Sequence, residues 1–146
     1  MNRATHIPRV TRRLPGEGMA HILLVDDDPI AVASNTEAIE DLGHSVSSTS
    51  TTAEAIKFVR QDTPDLVVME AVLGGKFGGL DLARAIAADY PDLPLIMLTQ
   101  GDQRLTNHEL ANEDREGWIP VRRYLEKPVL TDVLVDEIDH LLPEDE

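Results

Sequence analysis

Apolar and polar positions alternate in blocks along this chain. HILLV (His21–Val25) is a short apolar run that stops at three acids, Asp26, Asp27 and Asp28. Pro29 follows where a helix can start, and Gly43 after Leu42 marks its end. The stripe between them is thin: Ala31, Ala38 and Leu42, with Asn35 interrupting. SVSST (Ser45–Thr49) reads as a short half-buried strand. TAEAIKFV, from Thr52, has helical spacing at Ala55, Ile56 and Val59, and Pro64 closes that region. DLVVM, from Asp65, is an unbroken apolar run, the mark of a strand buried on both faces. It ends in Glu70. GGKFGG (Gly74–Gly79) reads as a loop. It is not a P-loop, because its Lys precedes the later glycines and no Lys-Ser/Thr pair closes it. Leu80, Ala83, Ile86, Ala87 and Tyr90 form a helical stripe. LPLIMLT (Leu93–Thr99) is another apolar strand. Gly101–Gly117 is long and polar, with a helical candidate at Leu105–Asn112. RRYLEKP (Arg122–Pro128) contains a short strand. Leu130, Val133, Leu134, Ile138 and Leu141 then mark a final amphipathic helix. Strands alternating with helices predict βαβ units around a parallel sheet of five strands and five helices, with right-handed crossovers placing helices on both faces.

Composition narrows this picture. A length of 146 residues fits one domain, and 42% hydrophobic residues suffice for a core that aromatics, at 3%, cannot dominate. There is no Cys, which removes disulfide frameworks, thiolate zinc sites and cysteine nucleophiles, and suits a cytoplasmic setting. No apolar stretch approaches the roughly 20 residues that span a bilayer. The net charge of −14 repels phosphate backbones, so nucleic acid is not an expected partner; with no spanning stretch, neither is a membrane. Charge is uneven, however. Residues 1–18 carry Arg3, Arg9, Arg12 and Arg13 against Glu17 alone, with two prolines, two glycines and no period. The expectation is a disordered N-terminal tail over 1–19 and a single domain over 20–146 with no further domain after it. Met19 reads as a natural start. An Arg-rich, acid-poor segment also has the composition of a transit peptide, but this one lacks an apolar face.

The polar residues fall at strand ends. The first strand ends in Asp26, Asp27 and Asp28, the third in Glu70, the fourth in Thr99 and the fifth in Lys127. In a parallel sheet these ends share one rim, where open α/β folds place their chemistry. Asp28 beside Pro29 is best read as a helix N-cap. The others bring three carboxylates (Asp26, Asp27, Glu70) toward one ammonium and one hydroxyl. Such a set suits a hard divalent cation, Mg²⁺, and the Lys and Thr beside it suit a phosphoryl group. Taken singly, each residue has a plainer role as turn, cap or solvated charge. Their order and their positions at element boundaries argue for a shared site.

ILLVDDDP, PDLVVMEAVL, LPLIMLT and YLEKP resemble, in order and spacing, the signature segments of response-regulator receiver domains, over about residues 20–142. The resemblance implies a CheY-like, flavodoxin-like fold: a five-stranded parallel sheet in order 2-1-3-4-5 flanked by five helices. It implies that Asp26 and Asp27 hold Mg²⁺ together with the residue at position 70. Thr99 matches the hydroxyl that follows the phosphoryl group, Lys127 the phosphate-binding lysine and Tyr124 the aromatic switch residue. Glu70 stands where the family has its phospho-accepting aspartate. One extra methylene moves the carboxylate by about 1.5 Å, one carbon–carbon bond, and a 1 Å error can cost about a hundredfold in an attack that depends on position. Ordinary phosphotransfer to Glu70 is therefore not expected. Two consequences stay open at this point: Glu70 imitates the phosphorylated state, or it pairs with Lys127 in a domain that no longer switches.

Further departures follow the same line. Gln100 replaces the family's usual small residue after Thr99. The GGKFGG loop lacks the usual Pro and is one residue longer. The stretch from Thr99 to Lys127 is extended and carries EGWIPVRR, with the single Trp118 as a partner anchor or a local lid. The reading is a stand-alone receiver in phosphorelay signalling, not an enzyme. It acts through protein contact with a histidine kinase, phosphotransfer protein or downstream effector, or through homodimerisation, by the face of the fourth helix, fifth strand and fifth helix. Two alternatives stand beside it. One is an inert adaptor without Mg²⁺. The other is a haloacid-dehalogenase-like phosphatase, suggested by the Asp-x-Asp of DDDP but lacking the later acidic motif.

Overall fold

A computed structural model of the chain describes residues 20–74, 78–100, 121, 123–127 and 131–142. The expectations for the N-terminal tail, for a helix at Leu105–Asn112 and for Trp118 lie outside the described residues. Five strands, β1 (His21–Val25), β2 (Ser45–Thr49), β3 (Leu66–Glu70), β4 (Leu95–Gln100) and β5 (Arg123–Lys127), form one sheet in the order β2-β1-β3-β4-β5. All pairings are parallel, with Val25 opposite Thr49 and Met69, Met69 opposite Met97, and Met97 opposite Tyr124. Four helices are described: α1 (Pro29–Asp41), α2 (Thr52–Gln61), α3 (Gly78–Asp89) and α4 (Thr131–Leu141). The sheet order expected from the resemblance is the order observed.

Side-chain alternation divides the core into two layers. Leu23, Val25, Val67, Met69, Leu95 and Met97 pack with α2 and α3. Ile22, Leu24, Leu66, Val68, Ile96 and Leu98 pack with α1 and α4. Because both faces are covered, β3 is buried along its whole length, which is why its sequence runs apolar without alternation. Each large core side chain taken out of water contributes about 1.5–3 kcal/mol before the entropy of ordering is subtracted.

The helices begin and end on local chemistry. Asp28 caps α1, its carboxylate accepting from the Ile30 N–H at 3.0 Å, with Pro29 in the first turn. Gly43, at φ 96°, closes the same helix in the left-handed region that a side chain would strain, its N–H donating to the Glu40 carbonyl at 2.9 Å. Thr51 caps α2 through the Glu54 N–H at 3.1 Å.

Two boundaries differ from the sequence reading. The buried face of α1 runs through Asn35 and Ile39, with Val32 packed beside them, so Asn35 lies inside the stripe and does not interrupt it. Packing against β1 and α4 decides that face, and a weakly amphipathic helix lets packing choose. Gly78 and Gly79 belong to α3 and not to the preceding loop. The absence of side chains there lets the helix start directly against the end of β3.

Candidate functional site at the carboxyl rim of the sheet

β1 and β3 are neighbours, and their register carries Asp26 and Glu70 one step past the pair Val25–Met69. Neighbouring strands lie about 4.8 Å apart, so two carboxylates leave the sheet side by side. Both are buried, Asp26 at 7% and Glu70 at 2% exposure. By alternation both stand on the face of α1 and α4. Asp26 Oδ1 accepts the Asp28 N–H at 2.9 Å, and the Asp26 N–H donates to the Thr49 carbonyl at 3.1 Å. Asp27 is exposed and its Oδ2 accepts the Gly74 N–H at 3.3 Å, which ties the end of β1 to the chain leaving β3.

Thr99 and Tyr124 share the opposite face, that of α2 and α3. Thr99 is fully buried at the end of β4, and its hydroxyl has no hydrogen-bond partner among the described residues. Tyr124 packs against the core layer of α2 and α3 with its hydroxyl shielded from solvent. Lys127 ends β5 opposite Gln100. The side chains of Lys127 and Gln100 lie outside what the structure describes, and with them the expected contact between Lys127 and Glu70. The rim therefore gathers Asp26, Glu70 and Thr99 at the ends of three adjacent strands, with Asp27 at its margin and Tyr124 one strand further out.

Among the described residues, no three His, Cys, Asp or Glu side chains are grouped closely enough to hold a metal ion as they stand. Asp26 and Asp27 each accept a backbone N–H. Their chemistry nonetheless fits Mg²⁺. The donors are hard oxygens, and a carboxylate has about four lone-pair sites of which one N–H takes one. The buried Thr99 hydroxyl is an unmet donor at the same rim, suited to an anionic oxygen. Asp26, Asp27 and Glu70 are the residues that would hold the ion, which when bound would neutralise charge on a phosphoryl oxygen.

Sequence reasoning overlooked residues at both ends of the sheet. Thr49 ends β2 beside this rim with a buried hydroxyl that also lacks a partner among the described residues; a Thr closing a strand was the available signal. Gly79 abuts the end of β3, and a glycine pair just before a helical stripe was its signal. At the other end, His44 and Asp65 fasten strand starts, and nothing in the local pattern announces them.

A parallel sheet in this order, with acids closing β1 and β3, a hydroxyl closing β4 and a lysine closing β5, defines a receiver domain. Residues 22–139 match the response regulator receiver domain, and the chain belongs to that family, whose domains serve two-component signalling. It is similar to Protein PilH of Pseudomonas aeruginosa, 32% identical over 126 residues that cover 85% of this chain and 98% of PilH. It is also similar to Response regulator MprA of Mycobacterium leprae, 29% identical over 124 residues; these cover 83% of this chain but 50% of MprA, so the match spans about half of that relative. Among solved structures, response regulator protein TrrA from Thermotoga maritima, in complex with Mg²⁺-BeF, superposes with a TM-score of 0.71 at 27% identity, covering 85% of this chain and 100% of TrrA. No helix among the described residues is long and apolar enough to cross a membrane.

Proposed function

We propose that this receiver relays signals by protein contact and that Glu70, standing in for the phospho-accepting aspartate, keeps it near its active arrangement without conventional phosphorylation. The observation that carries this reading is a buried Glu70 together with an inward Tyr124. Glu70 is 2% exposed at the end of β3, which supports a carboxylate held within the rim and away from solvent. Tyr124, the switch position, has its hydroxyl shielded and its ring against the core. An inward ring is the arrangement expected of the active mimic, and an outward ring that of the inert domain.

The surface around β5 and α4, together with the helix expected at Leu105–Asn112, is the proposed face for a kinase, a phosphotransfer protein, an effector or a second copy. Mg²⁺ is the proposed cation and Lys127 the proposed partner of Glu70. The role is one of signalling and not of turnover, in a cytoplasmic setting.

Treatment with acetyl phosphate and Mg²⁺ followed by intact-mass measurement tests the reading. The wild type is expected to gain nothing, while Glu70→Asp gains about 80 Da, one phosphoryl group. A gain in the wild type that disappears in Glu70→Ala would sink it. Ring exchange and solvent exposure of Tyr124, followed by NMR, separate the active mimic from the inert adaptor: Glu70→Ala should release Tyr124 outward, whereas an adaptor would leave it unmoved.

A further inference from the structure

Gly79 sits in the first turn of α3, directly against the end of β3. Its N–H donates to the Ala71 carbonyl at 3.0 Å. A Cβ placed on Gly79 would run into the Glu70 carbonyl oxygen and would lie 2.9 Å from both the Cα and the carbonyl oxygen of Ala71. All three obstacles are backbone atoms, so no rotamer change relieves them. The neighbouring Gly78 is similar, with a Cβ there falling 2.5 Å from the Leu73 carbonyl oxygen. The peptide that carries Glu70 therefore rests on the bare Cα of a helix, with no room between them.

That contact has a direct consequence for the buried carboxylate. A closely packed interface transmits displacement because it has no slack to absorb it. α3 is also well anchored elsewhere: Leu80, Leu82, Ala83 and Ile86 are buried in the layer it shares with α2. The helix is thus a fixed stop for Glu70 in one direction and a lever moved by Glu70 in the other.

We propose that Gly79 is a positioning residue for Glu70: by pressing its Cα on the Glu70 peptide, it sets how far the carboxylate reaches into the rim, and it makes α3 move when Glu70 moves. The inference deepens the receiver-site reading and rests on it for the cation.

Three proteins, wild type, Gly79→Ala and Gly43→Ala, test it by calorimetric titration with Mg²⁺ alone. Gly43→Ala is the control for lost stability, since its left-handed φ strains any side chain but it lies at the opposite end of the sheet. Gly79→Ala should weaken Mg²⁺ binding by about tenfold or more, since a full 1 Å misplacement can cost about a hundredfold and a fraction of that shift suffices. Gly43→Ala should change it less than about twofold. In a Glu70→Ala background, Gly79→Ala should have no further effect on Mg²⁺ affinity, because its effect runs through Glu70. Equal affinity in wild type and Gly79→Ala overturns the proposal, and so does an equal loss in the Gly43→Ala control. Absence of Mg²⁺ binding by the wild type would defeat the cation reading alone. The decision then rests on a second measurement, which also serves if Gly79→Ala does not fold. In otherwise wild-type protein, Glu70→Gln should shift the amide resonances of Ala83 and Ile86, one and two turns along α3, and leave the far turns of α1 in place. Shifts confined to Gly79 and its immediate neighbours would overturn the coupling.

Discussion

The two ends of the sheet are built on opposite terms. At the amino end, polar groups are matched in pairs. The buried His44 ring accepts the Ala20 N–H on Nδ1 at 3.2 Å, so its proton is on Nε2 and is donated to Asp139 at 3.1 Å. Asp65 accepts the His21 N–H at 2.7 Å, and the Ser45 N–H donates to the Ala20 carbonyl at 2.8 Å. At the carboxyl rim, two buried acids are neighbours and two buried hydroxyls, Thr49 and Thr99, have no hydrogen-bond partner among the described residues. Buried polar groups left unmatched cost free energy, and a fold retains that cost where a ligand or a switch makes use of it. One end holds the sheet together, and at the other the two threonine hydroxyls stay unmatched among the described residues, a condition suited to binding.

The largest effect expected from breaking this contrast is at the amino end. His44→Ala removes two hydrogen bonds, one to a carboxylate, leaves the Ala20 N–H buried and opens a cavity between β2 and α4. Urea unfolding should show a loss of about 3 kcal/mol, with Mg²⁺ affinity unchanged. A matching loss of Mg²⁺ affinity would show that the two ends are not independent.

At the rim the readout changes from stability to binding. Asp26→Asn keeps an oxygen to accept the Asp28 N–H and removes the negative charge. Mg²⁺ affinity is expected to fall by about tenfold or more in calorimetric titration, because a neutral amide is a poorer ligand for a hard cation. Affinity equal to that of the wild type would remove Asp26 from the cation site.

Much of this architecture was legible because the signals are local. Apolar runs of strand length, Pro29 and Gly43 around α1, and the acids at strand ends all declare themselves within a few residues. What escaped depends on contacts distant in sequence. His44 and Asp139 lie 95 positions apart, and no periodicity pairs them. Asn35 looked like a break in the apolar stripe because polarity was read without knowing which face of α1 the sheet and α4 would cover. Gly78 and Gly79 looked like loop because glycine disfavours helices; the nearness of the β3 backbone, which makes glycine necessary, is a tertiary fact. Glu70 was legible as a buried acid, but the inward turn of Tyr124, two strands away in the sheet, was not.

The smallest expected rim effect is also the most specific. Thr99→Val replaces a fully buried hydroxyl by a methyl of nearly the same volume, so packing is preserved and only the polar group is lost. Were the hydroxyl matched within the fold, Val would cost about 1 kcal/mol, as removal of a typical hydrogen bond does. Because the Thr99 hydroxyl has no partner among the described residues, the expected outcome is the opposite, a gain of about 0.5–1 kcal/mol in urea unfolding. The exposed pair Arg60–Asp89, 3.8 Å apart between α2 and α3, provides the scale for an effect of no consequence: Arg60→Ala should stay within about 0.5 kcal/mol. If Thr99→Val falls inside that same band, the hydroxyl carries no burial cost, and the contrast between the two ends is lost at β4. If it rises above the band, the hydroxyl is held unmatched at a measurable cost, as a group meant for an anionic ligand would be.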